Sequence, residues 1–118
     1  MAVVVQEPIA YCAMGEGGLV TVDLAAAGGP RVIDRLVLPG SCGDLLARGS
    51  FGYLALGPSG LGIVDLSSPG SPRLLRTVPL AYVSQVVPME GLSQLGVVNG
   101  SEFQVYDLAD PAEPRLLG

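Results

Sequence analysis

Asp23, Asp65 and Asp107 stand 42 residues apart, and three carboxylates in symmetric positions are the first residues of this chain that could do chemistry, because such a set could hold a divalent cation. Arg31, Arg73 and Arg115 follow at the same step, each preceded by a proline, Pro30, Pro72 and Pro114. A catalytic site needs unlike groups that converge, and one group repeated does not supply them. A carboxylate at a strand end accepts backbone N–H groups of the following turn, so the nine residues read as a structural hairpin corner. Asp65 and Arg73 then face each other across the base of one hairpin, and Arg73→Ala is expected to lower stability without abolishing ligand binding.

Other chemistry is thinly supplied. Gly15-Glu16-Gly17-Gly18 has the glycines of a phosphate loop but neither a following helix nor a lysine, and reads as a hairpin turn. Ser41-Cys42-Gly43-Asp44 offers two nucleophiles, yet the chain has no His, which removes a Ser-His or Cys-His pair from one subunit and from its identical copies. Asp44, Glu90 and Glu102 could form a carboxylate pair for glycoside hydrolysis, but nothing in the sequence brings two of them together. Cys12 and Cys42 fall at different phases of the repeat and do not form a ligand set. They read as a strand thiol and a loop thiol, with a disulfide left open. No catalytic, cofactor-binding or metal-binding residues are expected.

The balance of charge limits the partners. Eleven carboxylates oppose six cations, all arginine, for a net charge of −5, and a phosphate backbone needs a concentrated basic face. No nucleic-acid partner is expected. No apolar run is long enough to span a bilayer, and Met1 to Pro8 lacks the basic start and long apolar middle of a signal peptide. Membrane insertion is not expected. The chain is cytoplasmic if complete, and extracellular or cell-surface if it is a fragment of a longer secreted protein.

The elements that hold these residues are short strands. The chain is 49% hydrophobic with a mean hydropathy of +0.52, and Pro or Gly interrupts every apolar run before a helix could nucleate. Apolar runs at 2–6, 9–14, 19–24 and 31–38 give four strands in the first unit. Those at 44–48, 51–56, 61–66 and 73–80 give four in the second. A third unit, at 83–87, 95–98 and 103–108, ends in a stub at 115–117. Tyr11 and Tyr53, Gly15 and Gly57, Gly18 and Gly60, Leu19 and Leu61, and Val22 and Val64 match at the 42-residue step. Four antiparallel strands in roughly 40–45 residues is the size of a propeller blade. The fold expected is all-β, with three four-stranded antiparallel meanders, the third shortened, and blades at about 1–42, 43–84 and 85–118 of a single repeat domain.

The run Gly60-Leu61-Gly62-Ile63-Val64-Asp65-Leu66-Ser67-Ser68-Pro69 resembles the LVIVD-type β-propeller repeat, a strand ending in Val-Asp followed by a Ser/Asp-x-Pro turn. Val105 to Pro111 and Leu19 to Leu24 are similar to it, although the first unit has Ala27 where the second has Pro69. The resemblance implies a propeller scaffold and, such scaffolds being shared by many binders, no particular ligand.

Three blades do not close a ring, since propellers use about four to eight. An open arc leaves two apolar end faces of ~600 Å² each, and covering one is worth on the order of 15 kcal/mol at ~25 cal/mol per Å². Association costs roughly 4–15 kcal/mol. The expected assembly is a homodimer, two three-bladed halves of a six-bladed ring. The favoured function is a non-catalytic scaffold that binds a protein or small molecule at one loop rim, where Glu16, Asp44 and Glu90 give an acidic character. The alternative is an enzyme or small-ligand receptor with a site at the central pore between subunits. The inner strands that would line that pore, Val3-Val4-Val5, Leu45-Leu46-Ala47 and Val86-Val87-Pro88, are apolar and poor ground for catalysis.

Overall fold

Alternating β-branched and small residues between glycine turns fold, among the described residues, into twelve strands. The computed structural model describes residues 2–6, 8–68, 71–89 and 93–117, and no helix occurs among them. The first sheet holds β1 (Ala2–Gln6), β2 (Ile9–Ala13), β3 (Leu19–Asp23) and β4 (Arg31–Leu36). The second holds β5 (Asp44–Arg48), β6 (Phe51–Ala55), β7 (Leu61–Asp65) and β8 (Arg73–Val78). The third holds β9 (Val83–Pro88), β10 (Gln94–Asn99), β11 (Glu102–Asp107) and the two-residue β12 (Arg115–Leu116). Each sheet is an antiparallel meander in chain order.

The sheets stack face to face and meet at their first strands, β5 lying against β1 and β2, and β9 against β5 and β6. The stack is elongated, 47 × 27 × 20 Å, as an arc of blades must be. Two cores fill the gaps. Between the first and second blades Ile9, Tyr11, Ala13 and Leu19 meet Leu45, Leu54, Leu56, Val64 and Leu66. Between the second and third, Tyr53, Ala55, Leu61 and Ile63 meet Val86, Leu95, Val97, Tyr106 and Leu108. The second blade is therefore apolar on both faces, one set of alternate residues packing backward and the other forward. Side chains of the inner strands point into these gaps, not toward an axis: Leu45 is buried against the first blade.

Backbone bonds repeat with the blades. Leu24, Leu66 and Leu108 donate to the carbonyls of Pro8, Ser50 and Ser93 at 2.8, 2.7 and 2.7 Å. A two-bond clasp joins each turn after the second strand to the start of the next blade: Gly15 with Cys42 (2.8 and 3.0 Å) and Gly57 with Val83 (2.9 Å each way).

The third blade keeps the architecture but not the step. With Tyr106 at the place of Val64, its partner Leu95 occupies the place of Gly52, one residue later than the repeat dictates. Val86, which pairs Val97, occupies the place of Leu45, one residue earlier. A longer β9–β10 connection absorbs the difference, and the β10–β11 turn shrinks to Gly100-Ser101 between the paired Asn99 and Glu102. The alternation survives because both displacements preserve which face the core residues occupy.

Gly60 illustrates what the turns demand. Its φ is +92°, and a Cβ there would run into the carbonyl oxygen of Val78 and lie 2.9 Å from the Leu80 nitrogen. Gly60→Ala is expected to destabilise the protein by about 1–3 kcal/mol, read as a lower midpoint in urea unfolding. Thr21 is the reverse case: fully buried at the place of Ile63, its hydroxyl finds no hydrogen-bond partner among the described residues. Thr21→Val keeps the shape and removes the unpaired hydroxyl, and is expected to raise stability by about 1 kcal/mol in the same measurement.

Candidate functional site

The recurrent corner is built where the third strand of each blade ends. Asp23 Oδ1 accepts the Ala25 N–H at 2.9 Å, Asp65 Oδ1 the Ser67 N–H at 2.8 Å, and Asp107 Oδ1 the Ala109 N–H at 3.1 Å. The Asp therefore turns the chain locally. Each is also the cross-strand partner of the repeated arginine, Asp23 with Arg31, Asp65 with Arg73 and Asp107 with Arg115. Arg73 Nη2 lies 3.6 Å from Asp65 Oδ2, and Arg115 Nη2 3.7 Å from Asp107 Oδ2, with both arginine side chains at least 76% exposed. Among the described residues Asp23 and Arg31 form no such ion pair.

The Asp65 carboxyl is held below its ordinary value of 3.8, first by the Ser67 side chain, then by the Ser67 N–H, and only lastly by Arg73. The turn dominates the corner and the long, solvated ion pair adds little. An open groove of ≈ 340 Å³ lies between Asp65, Ser67, Ser68, Ser71, Pro72 and Arg73, and a smaller one of ≈ 190 Å³ recurs at Asp107 and Arg115. No cluster of three or more His, Cys, Asp or Glu side chains able to hold a metal occurs among the described residues.

The rim residues divide. The clasp between Gly15 and Cys42 brings the turn bearing exposed Glu16 beside the start of β5, where Asp44 stands. Asp44 has both oxygens engaged: Oδ1 accepts the Leu45 N–H at 2.9 Å and Oδ2 the Val86 N–H at 3.0 Å. Leu45 and Val86 hold the same place in successive inner strands, so one carboxylate bridges two blades. Sequence reading missed this bridge, and its only signal was an acidic residue opening an inner strand where the first unit has Ala2. Glu90 lies outside the described residues. Glu102 begins β11, on a different strand and blade from Asp44. A shallow pocket of ≈ 160 Å³ on the same rim is lined by Ser41, Pro58, Tyr82 and Ser84 among others, smaller than the few hundred Å³ that small-molecule sites enclose.

The two thiols are free. Cys42 is fully buried, and burial pushes its pKa up to about 11. A thiol that stays protonated is no nucleophile. The Tyr53 hydroxyl crosses to the third blade and donates to the Pro111 carbonyl at 2.8 Å. Burial, with Asp110 adding and Arg48 opposing, pushes its pKa up to about 12.

The largest feature without a partner is a pair of faces. Leu45, Leu56 and Leu66 are at most 6% exposed, whereas Val3, Met14 and Leu24, one repeat earlier, are 56%, 39% and 39% exposed. At the other end Phe103 is 53% exposed, whereas Leu61, one repeat earlier, is 0%. The same positions that form the interior cores lie open at both ends of the arc.

A sequence model of the LVIVD repeat matches residues 1–30 and 39–79. The chain belongs to the LVIVD repeat family. This is a β-propeller repeat, and the three four-stranded sheets are its blades. The match ends at Pro79, just before β9, where the displaced register of the third blade begins. No curated protein matches the chain.

Because Ser67 contributes more than Arg73 to holding Asp65 ionised, Asp65→Ala is expected to lower the urea midpoint more than Arg73→Ala does. The sign with pH follows from the depressed carboxyl: its contribution is complete above the ordinary value of 3.8 and is lost as pH falls through the lower folded value. Urea midpoints of parent and Asp65→Ala should therefore draw together as pH falls below 3.8; a gap that stays constant into acid would remove the carboxylate from the corner.

Proposed function

We propose that this protein is a non-catalytic β-propeller scaffold that pairs with a second copy to close a six-bladed ring and binds its partner at the rim carrying Glu16. The observation that carries the reading is the pair of apolar end faces, formed by positions that are buried wherever a neighbouring blade is present. Large exposed apolar faces mark interaction surfaces, and a surface built at blade phase is best covered by another blade. Two contacts made together offset one ordering cost.

Several features favour a scaffold over an enzyme at the pore. The Asp44 carboxylate on an inner strand is engaged by two backbone amides, Cys42 is buried and protonated, and the rim pocket is small. The remaining exposed chemistry at that rim is the Glu16 carboxylate, the Ser41 and Ser84 hydroxyls and the Arg35 guanidinium, which donates to the Gly17 carbonyl at 3.2 Å, a mixed polar set suited to a hydrogen-bonding protein partner.

Light scattering at micromolar concentration tests the assembly. A mass of twice the 12.0 kDa chain is expected. A monomer would overturn self-association, and masses beyond the dimer would show open head-to-tail growth in place of a closed ring.

A further inference from the structure

The closing seam of such a ring differs from the seams inside the chain. In the first two blades the turn after the second strand reaches forward, through Gly15 and Gly57, to clasp the next blade. In the third blade the corresponding turn folds back on its own blade: Gly100 donates to the Tyr82 carbonyl at 2.7 Å, and the Tyr82 N–H donates to Asn99 Oδ1 at 2.9 Å. The turn at Gly100 is thus engaged with its own blade.

The side chains change in a matched way. On the forward face of the second blade the aromatic rings are the buried Tyr53 and the half-buried Phe51, both on the second strand. On the third blade the place of Tyr53 belongs to Gly96, and the ring stands on the third strand as Phe103, over Gly96, where an added Cβ would lie 2.8 Å from the ring. On the backward face of the first blade two of the residues that meet a preceding blade are smaller, Val3 at the place of Leu45 and Cys12 at that of Leu54, while Met14 and Leu24 stand at the places of Leu56 and Leu66. Each blade is shifted by only part of a strand from its predecessor, β5 lying chiefly against β1 and less against β2, and β9 chiefly against β5 and less against β6. By that shift β2 of the next arc falls over β10 and β11, which sets Cys12 against the Phe103 ring where it lies over Gly96 of β10.

Resting on the self-association just described, we propose that the seam between the third blade of one chain and the first blade of a second copy is held by side chains alone. Phe103, seated on Gly96, is its anchor, and Cys12 of the second copy lies beneath it. The seam is a reversible joint, since it carries none of the backbone bonds that lock the internal seams.

Two measurements test this. In the parent protein, Cys12 should react with a thiol reagent at least roughly tenfold more slowly at concentrations where the dimer dominates than after dilution, while Cys42 stays inert until unfolding. Phe103→Asp should raise the dissociation constant roughly 30-fold or more and expose Cys12, with an unchanged far-ultraviolet circular dichroism spectrum. In a Phe103→Cys variant, a short bismaleimide should link position 103 of one chain to Cys12 of another, and adding Cys12→Ala should abolish the link. A monomer with reactive Cys12 overturns both self-association and the seam. A dimer with freely reactive Cys12 and no cross-link overturns the seam alone. A monomer with protected Cys12 overturns the second copy as the occupant.

Discussion

A blade with apolar residues on both faces cannot stand by itself. Strict alternation sends one set of side chains backward and the other forward, and each set loses its stabilisation unless another blade covers it. The second blade meets this condition fully: Leu54 and Val64 are sealed on one side, Tyr53 and Ile63 on the other. The first and third blades meet it on one side only. Everything else in the structure, from the glycine turns to the polar corners, keeps three sheets at the spacing this mutual burial requires.

The polar residues follow from that constraint. Charged groups have no place in the gaps between blades, and Asp23, Asp65 and Asp107 stand instead at strand ends, where they accept amides that the ladder no longer pairs. Asp44 does the same between blades, joining the amides of Leu45 and Val86. A carboxylate satisfied in this way is a structural clamp, and its chemistry is directed inward at the protein's own backbone. What distinguishes the chain is therefore found where the repeat fails, in the folded-back turn at Asn99 and Gly100 and in the transfer of the aromatic ring from Tyr53 to Phe103.

Repetition made the corners legible in the sequence. Every copy of Asp, Pro and Arg reports one local geometry, and a local geometry depends on nearby residues, which the sequence supplies in order. The Asp44 bridge was not legible, because it links residues of two strands brought together only by blade stacking, and nothing in the spacing of Asp44 and Val86 marks it. The burial of Thr21 was equally hidden: alternation placed it on a strand, but only the neighbouring blade shows that its hydroxyl is buried without a hydrogen-bond partner among the described residues.

By itself, then, the sequence determined the strands, their turns, the 42-residue step and the blade architecture, since these rest on alternation and glycine or proline punctuation that act over a few residues. It also carried the likeness to the LVIVD repeat in the stretch from Gly60 to Pro69. Only the tertiary structure decided that the third blade pairs one residue out of step, that Asp44 joins two inner strands, and that Val3 and Phe103 mark uncovered faces. Those facts depend on which sheet lies against which, and a contact between sheets leaves no mark on the residues that separate them along the chain.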